Sequence, residues 1–479
     1  MGQRVGVRLR AVAVVVVLAG VAAACGSRLP DDVLADYDAR GQGSAAPAAD
    51  GGTGRDAAAA TDGATVADPS LVTTDGGTTG GTGSGTGGAT GAGTDGAAAS
   101  CSGGGATAKG VTATEIKVGA IVTASGPLPG ATEGSYRGAQ AYFTKVNSAG
   151  GVCGRKITLV KGDDGLDPQR ARSEFLRIEP QVFSMVGGFS VADSGFGDLV
   201  QSTKVPYIGT MVDPAGRGPT VYPKVAAGAT HTGPFQYYRN TYPNVKKAAF
   251  LYADVGGVRA NTPTSREALK RVGFDLVYDS GLSSISPDFT SDVIAMRDRG
   301  AQLVYLFAFE VNMHVRIARN MRQQNYEPPL KISQIGYNSK LVELLGDIAN
   351  GWTNHIDYLP IINADEAAKS PALADFLTWS QRTSPGAQID LFPVSGWGAA
   401  ALFVEALRAV GPNVTRDGLL AALAKIRRSD GGGIHAPLDP TTGATEGCFA
   451  IVRVKDRKWV REHPASGFDC DLGEVYRYG

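Results

Sequence analysis

Charge of one sign, metal-ligating clusters and long apolar runs are all scarce in this sequence. Its 46 basic and 46 acidic residues cancel, and no basic cluster follows the extreme N-terminus, so nucleic acid is excluded as a partner. The five histidines, His231, His314, His355, His435 and His463, are scattered. No CxxC or Cys/His spacing marks a metal site, and no cofactor is called for. Large apolar residues are almost missing between Leu29 and Lys109, where Gly, Ala, Thr, Ser and Asp dominate. Such a segment cannot bury enough surface to offset its ordering entropy and reads as a flexible tether. Its roughly 80 residues would span on the order of 50 Å root mean square. The run GTGSGTGG within it has glycine spacings like those of a nucleotide loop, but no strand precedes it and no helix follows.

One short apolar run does occur, from Ala11 to Val21, after Arg4, Arg8 and Arg10 and before Ala22, Ala23, Ala24 and Cys25. It is too short for a comfortable membrane span and reads as an export signal over residues 1–25. Small residues directly before a cysteine, with Gly26 and Ser27 after it, resemble the lipobox of bacterial lipoproteins, in which the cysteine is acylated. Ala22 stands where that pattern usually has Leu; the alternative is an ordinary signal cleaved after an alanine. Either reading places the protein outside the cytoplasm, and the first anchors it to the outer face of the cell membrane through lipid on Cys25. With Cys25 so used, Cys101, Cys153, Cys448 and Cys470 remain, an even number in an exported chain. Proximity favours Cys101 with Cys153 and Cys448 with Cys470, among three possible pairings.

Beyond the tether, residues 26–113, about 370 residues remain, a length typical of two lobes. Strand and helix alternate from the start: Ile116–Val122, Tyr136–Val146, Lys156–Val160, Pro168–Ile178, Val182–Val186, Asp198–Ser202 and Val205–Gly209. The stretch Val182 to Ser194, VFSMVGGFSVADS, is central to this series. Its apolar run stops at Gly187 and Gly188, and Ser190 to Ser194 then open a helix. At the carboxyl edge of a parallel sheet such a junction seats an anion; alternatively the glycines only make a tight turn.

A second series follows. Strands are expected at Lys247–Tyr252, Phe274–Tyr278, Gln302–Phe309 and Leu330–Ile335, with helices at Thr264–Val272, Asp288–Arg299 and Val311–Gln324 between them. Gly351–Ile362 reads as a return strand, and Ala372–Arg382, Phe392–Val410 and Thr415–Ile426 as helices. Cys448–Val454 and Arg457–Arg461 read as a closing hairpin turned at Asp456. Two βαβ series, each with its own sheet, imply an α/β fold of two similar, doubly wound lobes with a cleft between them.

The segments EIKVGAIVTASGPLPG, GAQAYFTKVNSAGGVCGRKITLV, VGGFSVADS, VPYIG and LVYLFAFE, in this order, resemble the type I solute-binding proteins of ABC importers, in the branched-chain amino acid group. The resemblance covers Glu115 to the C-terminus. It implies two Rossmann-like lobes joined by three crossovers: residues 114–229 with 350–445 as the first lobe, and 230–349 with 446–479 as the second. It further implies an ABC permease with its ATPase as partner, and a monomer that closes on one small molecule.

By the same resemblance, Ser190 receives the ligand carboxylate, and its hydroxyl and nearby N–H groups suit an anion physically; the bland alternative is a helix cap. Met211 and Asp213 fall where the family presents a backbone carbonyl and a Thr. An acid at 213 would favour a cationic or amide-bearing ligand, unless Asp213 starts a turn with Pro214 and points away. Glu310 falls where the family pairs the ligand ammonium, although Glu in a first helical turn also complements the helix dipole. Ser125, at the end of the first strand, joins the expected ligand-binding set. Phe189, Tyr252 and Tyr337 join it as wall residues, although most aromatics at such positions are core.

The leading function is capture of a small polar metabolite, an amino acid or a related amide or acid, and delivery to the permease without chemistry. A sensory or wall-associated binding protein without transport is the second reading. A serine hydrolase is the third, because Gly188 to Ala192 approaches the G-x-S-x-G elbow and His435 or His463 follows it. Against an enzyme stand Ala192 in place of the last glycine and the second βαβ series.

Overall fold

The computed structural model describes residues 104–224, 229–443 and 447–477. The expected signal peptide, Cys25 and most of the expected tether lie outside the described residues. Five parallel strands open the fold: β1 (Glu115–Val122), β2 (Lys156–Asp163), β3 (Ser184–Ser190), β4 (Tyr207–Met211) and β5 (Val221–Tyr222). They pair in the order β2-β1-β3-β4-β5. After β6 (Ala229–His231) come β7 (Lys247–Ala253), β8 (Asp275–Leu282), β9 (Leu303–Phe307), β10 (Leu330–Ser333) and β11 (Trp352–Ile356). The chain closes with β12 (Ala450–Lys455), β13 (Lys458–His463) and β14 (Val475–Arg477). The second sheet runs β13-β12-β11-β10-β9-β7-β8, and β14 pairs separately with β6.

From β8 to β11 the second sheet repeats the spatial order of the first, so each lobe has a switch point, β1/β3 in one and β7/β9 in the other. In open α/β sheets that is where ligands sit. The chain crosses between lobes after β5, after β11 and before β12. The fold is thus two doubly wound Rossmann-like lobes with three crossovers, as the family resemblance implied. The closing hairpin is also there: β12 and β13 are antiparallel, and Asp456 and Arg457 between them have φ of 50° and 58°, the conformation of the two-residue turns that match strand twist.

Three local expectations are corrected. Gly187 and Gly188 do not form a βα turn. They lie inside β3 as a bulge, with the register shifting between Val186 and Phe189 against β4 and Gly187 at φ 76°. β1 and β4, one on each side, carry the pairing past the irregularity, so the strand continues to Ser190. Ser190 therefore ends a strand and opens no helix; a single turn at Asp193–Gly195 intervenes, and the helix begins at Gly197. The return strand is Trp352–Ile356 and pairs with β10 and β12, so the chain leaves the second sheet after residue 356 and not at 350. Finally, the helix expected from Thr264 starts at Gly256 and contains Pro263. Proline removes the donor that would reach Arg259 O, and Thr262 Oγ1 donates to that carbonyl at 2.9 Å.

Cys448 and Cys470 form the expected disulfide, whereas Cys101, the expected partner of Cys153, lies outside the described residues. The amino edge of the first sheet is held by Arg155, a fully buried guanidinium. It donates to the carbonyls of Thr112, Pro412 and Gly105 at 2.8, 2.9 and 3.0 Å.

Helix Leu391–Val410 returns from the second sheet and packs on helix Glu133–Ser148, which itself lies against β3. The two helices meet through glycine: a Cβ on Gly138 would fall 1.9 Å from Pro393 O, and one on Gly396 would fall 1.8 Å from Ser135 O. Asp390 caps the incoming helix, its Oδ1 accepting from Phe392 N at 3.0 Å. In an exposed helix Gly→Ala gains roughly 1 kcal/mol. Here Gly138→Ala is expected to lose about 1–3 kcal/mol by overpacking against backbone, and chemical denaturation that showed a gain would refute this helix contact.

Candidate functional site

A cavity of about 900 Å³ lies between the carboxyl ends of the two sheets. The first lobe contributes Leu128 to Thr132 after β1, Leu166 after β2, Phe189 and Val191 from the end of β3, and Thr210 to Val212 from the end of β4. The second contributes Ala253, Val255 and Val258 from the end of β7 onward, Ser284 after β8, Phe307, Ala308 and Glu310 to Met313 around the end of β9, and Gln334 and Ile335 after β10. Gln388, Asp390, Leu391 and Phe392 close it from the crossover, with the Phe392 ring edge-on to Phe189 at 5.1 Å. Most of this wall is apolar, as in sites that gain affinity from buried surface and orientation from a few polar groups.

Of the residues expected to bind ligand, the structure brings Phe189, Met211 and Glu310 together on this wall. Glu310 caps helix Val311–Gln323; its two oxygens accept from Asn312 N and Met313 N at 2.7 and 2.6 Å, and Arg316 lies 3.9 Å away. The Met211 carbonyl accepts from Arg217 Nε at 3.0 Å. The other five side chains are engaged elsewhere. Ser190 is fully buried, and its Oγ accepts from Ala192 N at 3.1 Å. Ser125 bonds Asp163 Oδ2 at 2.6 Å and takes a bond from Arg170. Asp213 caps the turn that follows it, its Oδ1 accepting from Ala215 N at 3.0 Å. Tyr252 stacks beside Phe250 under the Arg266 guanidinium. Tyr337 is core, packed on Trp459, with its hydroxyl accepting from Ile362 N at 2.9 Å.

Sequence reading missed Arg217, Asn261 and Asp390. Arg217 lies in the short connection between β4 and β5, where no pattern flags it. It donates through Nη2 to Val212 O and, across the cleft edge, to Asn261 Oδ1, both at 3.1 Å. Asn261 Nδ2 donates back to Val212 O at 2.9 Å. The lobes thus touch through two hydrogen bonds at one rim, and Gly257 keeps the approach open, since a Cβ there would fall 2.6 Å from Val212 Cγ1. Asp390 had a visible signal, an acid immediately before a long apolar helix, but that signal marks a cap and not a pocket.

Two acids shape the site, Asp193 buried and Asp390 half-buried. Burial pushes the Asp390 carboxyl up to about 6, opposed by its bond from Phe392 N and by the charge of Arg137. Burial likewise pushes Asp193 up to about 7, the Asp213 charge adding to the rise while bonds from Val212 N and Asp213 N and the Arg217 charge oppose it. Through those two N–H groups Asp193 fixes the loop on which Arg217 rests.

A family model described as periplasmic binding protein matches residues 115–458. The chain belongs to the periplasmic binding protein family. Periplasmic binding proteins are not enzymes; among the described residues the Ser190 hydroxyl accepts from Ala192 N, while His435 bonds Ala436 O and His463 bonds Asp469. Among periplasmic binding proteins it is similar to a Leu/Ile/Val-binding protein of Citrobacter freundii, 22% identical over 50% of this chain and 66% of that one. It is also similar to the Leu/Ile/Val-binding protein homolog 8 of Brucella abortus, 25% identical over 45% of this chain and 56% of that one. The matches thus span less than two thirds of these relatives' length. A fatty acid ABC transporter substrate-binding protein from Thermomonospora curvata shares the fold, with a TM-score of 0.62 and 19% identity over 78% of this chain and 95% of that one. So does a leucine binding protein from Thermotoga maritima, with a TM-score of 0.59 and 17% identity over 72% of this chain and 97% of that one. The family acts outside the cytoplasm, and no helix among the described residues is long and apolar enough to cross a membrane.

An acid with its folded-state pKa raised from about 4 to about 7 stabilises the fold most below the lower value, and that stabilisation is lost as pH rises through the higher one. Asp193→Asn lacks this loss. Its melting temperature relative to the unaltered chain is therefore expected to rise between pH 4 and pH 7 and then level off; a difference that falls with pH would mean that Asp193 folds ionised.

Proposed function

We propose that this chain captures one small metabolite, an amino acid or a related amide or acid, in the cleft between its lobes and delivers it to an ABC permease. The observation that carries this reading is the cavity itself, walled by the carboxyl ends of both sheets, so that a ligand there touches both lobes at once. A molecule that contacts both lobes favours the closed arrangement by its differential affinity for it, which is all that the mechanism requires. The names of the similar proteins support a small-molecule cargo.

The cargo reading is tested by incubating the full chain with a metabolite extract, reisolating it by gel filtration and analysing what it retains by mass spectrometry. One retained small molecule near one-to-one stoichiometry is expected. Retention of nothing above a heat-denatured control would end the reading.

We also infer that the receptor works as a monomer held to the outer face of the cell membrane by lipid on Cys25, with the Gly-rich segment as spacer. Cys25→Ala is expected to move the protein from the membrane fraction to the soluble fraction of exporting cells, and a variant that stays with the membrane would remove the lipid anchor from the account.

A further inference from the structure

The charged side chains of the cleft are not equally free to meet a ligand. Lys224 Nζ donates to the carbonyls of Gly218 and Pro219 at 2.9 and 2.6 Å and lies over the Tyr222 ring. Lys340 pairs with Glu343 at 2.7 Å. Each Glu310 oxygen accepts a bond from the start of its helix, with Arg316 3.9 Å away as counter-ion, and Asp390 is a half-buried cap. Arg217 is the exception. Its Nε and Nη2 are held by Met211 O, Val212 O and Asn261 Oδ1, all neutral acceptors. It has no carboxylate within ion-pair distance among the described residues, and its Nη1 has no hydrogen-bond partner there. The charges of Asp193 and Asp213 act on it only from beyond ion-pair distance, and burial holds its pKa down, so a half-buried guanidinium at an apolar cavity gains when an anion arrives to pair with it directly. Its planar fork is already fixed by three acceptors, so little freedom is lost when it binds one.

Ser190 and Asp213, expected to contact a zwitterion, do not line the cavity. The Ser190 hydroxyl is buried and bonded to Ala192 N, and Asp213 is folded into its own turn. Val212, Val221 and Val258 line the same cavity as Arg217, and its volume of about 900 Å³ is at the upper end of what drug-sized ligands fill, more than a single small amino acid needs.

Resting on the capture reading above, we propose that the ligand is a carboxylic acid with a bulky apolar body and no α-ammonium group, its carboxylate seated on Arg217 Nη1. The same guanidinium reaches Asn261 of the other lobe, so the anion binds at the residue that joins the rims, and binding and closure are coupled there.

The test titrates the purified full chain with hexanoate, decanoate and 3-phenylpropionate, with the primary amide of each, and with leucine and phenylalanine, reading dissociation constants by calorimetry. The acids are expected to bind about tenfold or more tighter than their amides, the difference made by a charge-assisted hydrogen bond, and tighter than the amino acids. Arg217→Gln is expected to bring the acids down to the level of the amides, whose own affinity falls only by what loss of the rim bond costs. Asn261→Ala, which removes the bond across the rim but not the cation, is expected to weaken acids and amides alike. The amides report whether Arg217→Gln still forms the cavity, and if that variant does not fold, the ranking measured on the unaltered chain decides.

Leucine or phenylalanine binding tighter than the acids, or acids no better than amides, overturns the ligand class and leaves the capture reading standing. Binding of none of these compounds, with a metabolite still retained in the extract experiment, does the same. No retained metabolite either overturns both.

Discussion

Two helices that meet backbone to backbone hold the first lobe together. Its sheet is complete by Tyr222, yet the chain runs through the other lobe from residue 229 to residue 356 before helix Leu391–Val410 comes back to cover that sheet. The return succeeds because Gly134, Gly138 and Gly396 leave no side chain between the helices, letting Leu402, Phe403 and Leu407 reach the core beneath. The start of the same helix delivers Asp390 and Phe392 to the cleft, so the packing that completes the lobe also completes the wall of its binding site.

Elements with strong periodicity and clear punctuation were legible. Helix Pro168–Ile178, opened by the Asp167 cap and a first-turn proline, and the alternation of strand and helix in each lobe both appear as expected. Misreadings came where tertiary pairing outweighs local signals. Gly187 and Gly188 carry the marks of a turn, but neighbouring strands on both sides keep them in the sheet. Pro263 carries the mark of a helix boundary, but Thr262 satisfies the carbonyl it strands. Short amphipathic pieces such as Ser339–Leu345 are too brief for a period to stand out.

The site was less legible than the fold, for a physical reason. Residue type and place in a motif say which strand end a side chain leaves from, not which acceptor claims it. Ser190, Asp213 and Tyr337 all sit near carboxyl ends of strands, and each is claimed by a backbone N–H within the protein. Glu310 is claimed in the same way, although it remains on the cleft wall. Arg217 comes from a connection without a pattern and gains its place from Met211, Val212 and, behind them, the buried Asp193. The resemblance to a family therefore located the cleft correctly while leaving its polar contacts to be read from the folded chain.

Arg155 has a mechanical side. It ties Gly105 and Thr112, the first described stretch of chain, to Pro412 at the amino edge of the first sheet, whereas the cleft is built on the carboxyl edges. A pull on the chain ahead of residue 104 is taken up by that guanidinium and three carbonyls, with the length of the strands between the point of load and the ligand. The first described residues are thus fastened on the side of the lobe away from the cavity, and their fastening shares no residue with its wall.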